Sequence, residues 1–263
     1  MTKLTVKELL NLKGKTQLTE VFVSSAEEAR ACAEAGIDML VAVGNVGAAA
    51  IREAAPDTFL TLGVSKLVAS KKDAVKAGLK LLRLGADAVY TGASLPFVKA
   101  MARESIPVVG HVGLVPYRSS WFGGFKAVGK TAEEALEVYE KTIAYQEAGA
   151  IAVEIEVVPH QVATEISKRV DILVISMGSG SGCDAQYLFA TDILGTNTGH
   201  VPRHAKEYED FKTEYARLYR RSVTAFKEFK EDVAASVYPA EQHQVDMASQ
   251  ELEAFKRGLE QVC

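Results

Sequence analysis

Two glutamates spaced two residues apart inside an apolar run are the first sign of chemistry in this chain. In Val153-Glu154-Ile155-Glu156-Val157 the alternation of a strand sends both acids to one side. An acid facing a core is costly unless paired, and a carboxyl with a raised pKa suits proton transfer. Glu156 is the candidate acid–base group, with Glu154 as its partner carboxylate or a supporting group. His111 follows the apolar run Ile106-Pro107-Val108-Val109 and leads into a glycine-containing loop. Its ordinary pKa of about 6.5 suits proton transfer or donation to an oxyanion; the plain alternative is a core histidine.

Further candidates stand near the ends of other apolar runs. Asn45, between Gly44 and Gly47, is placed to hydrogen-bond a substrate oxygen or simply to form a turn. Ser65 and Lys66 follow the third run. Lys66 offers a fixed positive charge for a carboxylate or enolate, a Schiff-base amine, or an ordinary surface lysine beside Lys71 and Lys72. Tyr90 is a donor to an oxyanion or a barrel-filling aromatic. Gly178-Ser179-Gly180-Ser181-Gly182 presents backbone N–H groups and Ser179 to an anion, or is only a turn. Asp184, just beyond, is placed to order that loop. Trp121 with Phe122–Lys126 reads as a glycine-hinged lid. His200, His204 and His243 are dispersed and read as structural or interface residues.

The elements that must position these groups repeat. Short apolar runs are expected as strands at Leu18–Val23, Met39–Val43, Phe59–Val64, Ala88–Thr91, Pro107–Val112, Ile151–Val157, Ile172–Ser176 and Tyr187–Thr191. Helical patterns follow the early ones. Ser24-Ser25-Ala26-Glu27-Glu28 is a helix start, and Thr131-Ala132-Glu133-Glu134 is a capping box for a helix reaching about Glu147. Glu34-Ala35-Gly36, Leu84-Gly85-Ala86 and Glu147-Ala148-Gly149 each place a glycine just past a helix, as a left-handed cap. Eight such units predict an α/β fold, a (β/α)8 TIM barrel. An open doubly wound sheet is the runner-up, but no glycine-rich dinucleotide fingerprint follows the first strand. Residues 1–263 are expected to form one barrel domain with a C-terminal helical extension over about 203–263. Tyr208, Phe211, Tyr215, Tyr219, Phe226 and Phe229 in that extension read as a buried stripe packed on the barrel, or as a subunit interface.

Composition narrows the function. The chain has 263 residues, is 48% hydrophobic and carries a formal net charge of -4. That permits a substantial core and argues against a nucleic-acid partner. Three dispersed cysteines, Cys32, Cys183 and Cys263, form no C-x-x-C pair and point to a reducing, cytoplasmic setting. No apolar stretch approaches the ~20 residues of a membrane span.

Several motifs carry a family resemblance. They are Ala35-Gly36-Ile37-Asp38 into Val43-Gly44, Gly110–Pro116, Phe122–Lys126, Ala148-Gly149-Ala150 into Ile155–Pro159, Gly178-Ser179-Gly180, Cys183–Gln186, Asp192–Gly195, Gly199–Pro202 and Val237–His243. Over most of its length the chain resembles ketopantoate hydroxymethyltransferase, of the phosphoenolpyruvate mutase and isocitrate lyase superfamily. The resemblance implies a barrel that binds a small 2-oxo acid, with magnesium stabilising its enolate and methylene-tetrahydrofolate supplying a hydroxymethyl unit. It assigns the acid–base carboxylate to Glu156 and the active-site histidine to His111, and implies a pentameric or decameric homo-oligomer.

The family's metal-binding carboxylates do not carry over. Its Gly-Asp-Ser reads Gly44-Asn45-Val46 here, its third-strand Asp falls in Leu62-Gly63-Val64-Ser65-Lys66-Leu67, and its fourth-strand Lys and Glu fall in Val89-Tyr90-Thr91-Gly92. Magnesium prefers carboxylate oxygens, so no metal ligand is assigned, although Glu20, His111 and Glu156 remain groups able to meet one. Tetrahydrofolate dependence rests on the resemblance alone. The expectation is an enzyme, a transferase or lyase that is not a ketopantoate synthase, forming or cleaving a C–C bond of a 2-oxo acid through an enolate. In it Asn45, Ser65, Lys66, Tyr90 and Ser179 hold the substrate. Tautomerisation, decarboxylation or hydrolysis of a β-keto acid, and metabolite binding without catalysis, are the alternatives.

Overall fold

In a computed structural model, residues 3–64 and 68–261 are described. Eight parallel strands close into one barrel in sequence order. They are β1 Leu18–Phe22, β2 Met39–Val43, β3 Phe59–Gly63, β4 Ala88–Tyr90, β5 Val108–Gly113, β6 Ala152–Glu156, β7 Leu173–Met177 and β8 Ala185–Phe189. The (β/α)8 expectation is met, and the open-sheet alternative is excluded by the β1–β8 pairing, which runs from Leu18↔Ala185 to Phe22↔Phe189. β8 begins two residues before the expected Tyr187–Thr191. Asp184 fixes that start, accepting from Val174 N at 2.8 Å.

The helices form where caps and periodicity place them. Ser25 caps α2 (Ala26–Glu34) by accepting from Glu28 N, and Thr131 caps α6 (Ala132–Glu147) by accepting from Glu134 N. The Glu134 carboxylate does not complete the box; it accepts from Gly129 and Lys130 N–H instead. Gly36, Gly85 and Gly149 all adopt positive φ, so the three repeated phrases are left-handed helix ends.

Strand alternation divides the core in two. Outward residues such as Leu40, Leu60, Val89, Val153 and Val174 pack against the helices. Inward residues Leu18, Met39, Phe59, Ala88, Ala152 and Leu173 fill the barrel, joined by Leu9 of α1 (Val6–Leu12). Each such burial stabilises by up to about 1.5–3 kcal/mol, and this apolar floor offsets the cost of the acids above it.

The chain forms two compact units, residues up to Glu209 and from Asp210 onward. The second holds α9 (Phe211–Ala234) and α10 (Ser249–Leu259). The aromatic stripe is not a buried one. No residue of α9 is buried, and Tyr219 and Phe226 are 71% and 74% exposed. Within this unit Phe229 packs edge-on against Tyr238, with ring centroids 5.4 Å apart. No helix among the described residues is long and apolar enough to cross a membrane.

Candidate active site

The carboxyl ends of the strands surround a cavity of about 570 Å³. Its lining includes Asn45, Tyr90, His111, Glu154, Glu156 and Tyr187. The register explains how they meet. His111 on β5 pairs with Glu154 on β6, and both are inward positions of adjacent strands. Glu156 is one inward step nearer the mouth. On the opposite side Glu20 of β1 stands beside Tyr187 of β8.

His111 is enclosed by acids. Its Nε2 lies 3.0 Å from a Glu156 oxygen and 3.9 Å from a Glu154 oxygen. Neither contact has hydrogen-bond geometry, and Nε2 has no hydrogen-bond partner although fully buried. The attraction is therefore chiefly one of charge. On the other side of the ring, Nδ1 is hydrogen-bonded to Tyr90 Oη, which fixes the imidazole plane. Gly110, the preceding residue, lies against the Tyr145 ring; a Cβ there would sit 2.5 Å from Tyr145 Cδ1, so the approach requires glycine.

Burial governs the protonation of this group. It raises the Glu20 pKa to about 8, with the Glu154 charge adding to the effect. It also raises Glu154, reinforced by Glu156 and opposed by His111. For His111, burial works against the charged form, but Glu154 and Glu156 outweigh it and raise the pKa. Tyr90 and Tyr187 are raised well above the ordinary phenol value by burial and by Glu154. Burial and mutual charge thus favour the protonated forms of Glu20, Glu154 and His111.

Not every sequence candidate stands here. Asn45 lines the cavity, yet its Oδ1 accepts from Gly47 N at 2.8 Å, so it also forms the turn. Ser65 and Lys66 lie outside the described residues. Ser179 does not line the cavity. It is fully buried, its hydroxyl donating to Ile155 O and accepting from Val158 N, so it fastens the glycine loop to β6. The Gly178–Gly182 loop is held from the other side by Gln186 Nε2, which donates to Gly180 O at 3.0 Å, and by Gln17 Nε2, which donates to Ser181 O at 3.0 Å. The side chain of Asp184, expected to order the loop, bonds instead to Lys13, Gly14, Ser167 and Val174. In the lid segment, Pro116–Phe122 is a 3-10 helix, and Gly123 and Gly124 follow with positive φ. Trp121 is 83% exposed, and Pro116 lines the cavity. His204 packs on Gly178 near Glu156. Tyr187 was not singled out from sequence, and Glu20 was considered only as a metal ligand. The signal for both was strand alternation, which puts Glu20 on the same face as Leu18 and Phe22.

A closed parallel barrel with buried acid, imidazole and phenol groups at the carboxyl ends of its strands has the architecture of a TIM-barrel enzyme. A model of the ketopantoate hydroxymethyltransferase family matches residues 46–241. The 3-methyl-2-oxobutanoate hydroxymethyltransferase of Thermotoga maritima is 32% identical, covering 90% of this chain and 95% of its own. That of Hyperthermus butylicus is 33% identical, covering 97% and 95%. The chain belongs to the ketopantoate hydroxymethyltransferase family. The fold is also similar to phosphonopyruvate hydrolase solved with oxalate and Mg²⁺, with TM-score 0.55, 12% identity and coverage of 97% and 96%. A similar likeness holds for 2,3-dimethylmalate lyase, a phosphoenolpyruvate mutase/isocitrate lyase superfamily member, with TM-score 0.52, 13% identity and coverage of 97% and 98%.

Proposed function

We propose that this chain enolises a small 2-oxo acid and forms or breaks a C–C bond at its C3 carbon, as a divergent counterpart of its hydroxymethyltransferase relatives. The observation that carries this reading is the enclosed His111–Glu154–Glu156 group opening on a cavity of small-metabolite size. Glu156, nearest the mouth, takes the C3 proton. The C–H electron pair moves to the carbonyl, and the enolate carbon attacks an electrophilic one-carbon unit of aldehyde oxidation level. The reverse order cleaves the same bond. His111, whose pKa its two acids raise against the effect of burial, donates to the developing oxyanion. Tyr90 sets the ring through Nδ1, and the Asn45 amide is a donor for a substrate oxygen.

The magnesium site of the family is not retained in this reading. No carboxylate is among the described cavity residues at the ends of β2 and β3, where Val43, Gly44, Asn45, Gly63 and Val64 stand. The one polar side chain there, Asn45, is already engaged by Gly47. These residues do not fit the hard, carboxylate-rich shell that magnesium prefers, and no step is routed through it. Tetrahydrofolate is given no role in this proposal, since its involvement rests on the resemblance alone. Self-association, in the ringlike manner that the family resemblance implies, is supported by the exposed aromatics of α9.

Proton NMR in D2O tests the reaction. The protein is incubated with a panel of 2-oxo acids, once with Mg²⁺ and once with EDTA. Deuterium incorporation at C3 that survives EDTA supports metal-free enolisation. Incorporation only with Mg²⁺ contradicts the proposed loss of the metal site. No incorporation with any compound contradicts the enolate reading and favours hydrolysis or metabolite binding.

A further inference from the structure

We infer that His111, Glu154 and Glu156 form a binding site for one divalent cation of the borderline class, such as Zn²⁺, Mn²⁺ or Co²⁺. One donor atom from each side chain lies within 4.8 Å of the other two, and all three residues are buried. An acidic cluster alone would mean little. Here the third donor is an imidazole nitrogen, His111 Nε2, enclosed and without a hydrogen-bond partner. It faces one oxygen at 3.0 Å and another at 3.9 Å. Donors bound to a common metal at about 2.1 Å stand no more than about 4.2 Å apart, so small glutamate adjustments close the shell.

The surroundings favour a cation in three ways. Tyr90 engages Nδ1, which orients the ring as the outer partner of a metal-bound histidine does. The described cavity residues include both glutamates and no lysine or arginine, so no cationic side chain among them pairs with the carboxylates. Three protein donors on one side leave the remaining positions open to the cavity, as in exchangeable metal sites. The donor set also selects. One imidazole with two carboxylates suits zinc, manganese or cobalt, whereas magnesium prefers an all-oxygen shell. This site differs in place and chemistry from the one that the family resemblance implies at the ends of β2 and β3.

The inference does not rest on the reaction proposed above. The two intersect, because a cation here would occupy the Glu156 lone pairs and take that carboxylate out of proton transfer. Bound Zn²⁺ is therefore expected to slow C3 exchange while leaving the fold intact.

The test uses the full chain stripped with EDTA. Co²⁺ is titrated in while the visible d–d absorption is followed, and Zn²⁺ binding is measured by calorimetry in two buffers of different ionisation enthalpy. One equivalent should bind, with proton release as ligands lose their protons. Glu154→Gln and His111→Gln should each weaken binding by roughly tenfold or more, with folding verified by circular dichroism. Glu154→Gln, close to isosteric, carries the reading if His111→Gln misfolds. His243→Ala, at an exposed site outside the barrel, should leave binding unchanged. No saturable Co²⁺ band, undiminished affinity in Glu154→Gln, or loss of binding in His243→Ala would overturn the proposal. Magnesium binding as tightly as zinc would overturn the assignment of metal class.

Discussion

Two groups of buried acid occupy this barrel, and they are treated oppositely. Asp184 lies just before β8 with its side chain 4% exposed. It accepts from Lys13 Nζ at 2.7 Å, Gly14 N at 3.2 Å, Ser167 Oγ at 3.1 Å and Val174 N at 2.8 Å. Four donors, one of them the ion-paired Lys13, replace the water it lost, which is how a buried charge is made tolerable. Glu20, Glu154 and Glu156 are comparably buried but face one another, a histidine and two phenols. For Glu20 and Glu154 the cost of burial appears as a raised pKa, about 8 for Glu20. The contrast separates two uses of one functional group. An acid surrounded by donors joins segments of chain, here the α1–β1 turn, α7 (His160–Ser167) and β7. An acid left short of donors stores a proton or awaits a cation.

The largest expected effect lies at the mouth. Glu156→Gln should lower C3 deuterium exchange by about 10²–10⁴-fold, the usual contribution of one acid–base group, with little change in melting temperature. Retained exchange would remove Glu156 from the mechanism. Next comes the tethering acid. Asp184→Asn leaves Lys13 and several donors poorly matched and should cost about 3 kcal/mol or more, measurable by urea denaturation. A loss below about 1 kcal/mol would show that the network is not cooperative.

Glu20→Gln gives a pH-dependent stability effect. The folded pKa is about 8 and the ordinary carboxyl value 4.5, so between those values the folded chain holds a proton that the unfolded chain has released. Stability from this group is therefore fully present below pH 4.5, declines as pH rises, and is lost by about pH 8. The variant should match the parent near pH 5 and exceed it near pH 9, as read by thermal melts across that range. Parallel stability profiles for the two proteins would contradict the account. The smallest effect concerns Trp121. Exposed in the 3-10 helix that begins at the cavity-lining Pro116, it should shift emission to shorter wavelength when a 2-oxo acid closes the segment over the mouth. An unchanged spectrum at saturating ligand would argue against a lid.

Much of this was legible beforehand, for identifiable reasons. Strand period and glycine caps are local properties, so seven strands fell within one residue of their expected bounds at either end. Glu154 and Glu156 were recognisable because strand alternation fixes their common side. β8 was misplaced because Ala185 and Gln186 carry little apolar signal, while the bonds that order its start come from Leu18 and, through Asp184, from Val174, both distant in sequence. Ser179 looked like an anion ligand for the same reason: the bonds to Ile155 and Val158 that occupy its hydroxyl are tertiary. The Tyr90–His111 contact spans 21 residues and only the pairing of β4 with β5 reveals it. The aromatic spacing of α9 read as a buried stripe because periodicity reports an amphipathic face without reporting what, if anything, covers it.

The most direct test of the central contrast is to measure C3 deuterium exchange per folded molecule, with EDTA present, in Glu156→Gln and Asp184→Asn side by side at a temperature where both remain folded. The account predicts exchange near background in Glu156→Gln and close to the parent rate in Asp184→Asn, despite the latter's lower melting point. Equal loss in both variants, or exchange retained in Glu156→Gln, would contradict the division between an acid that works and an acid that ties the barrel together.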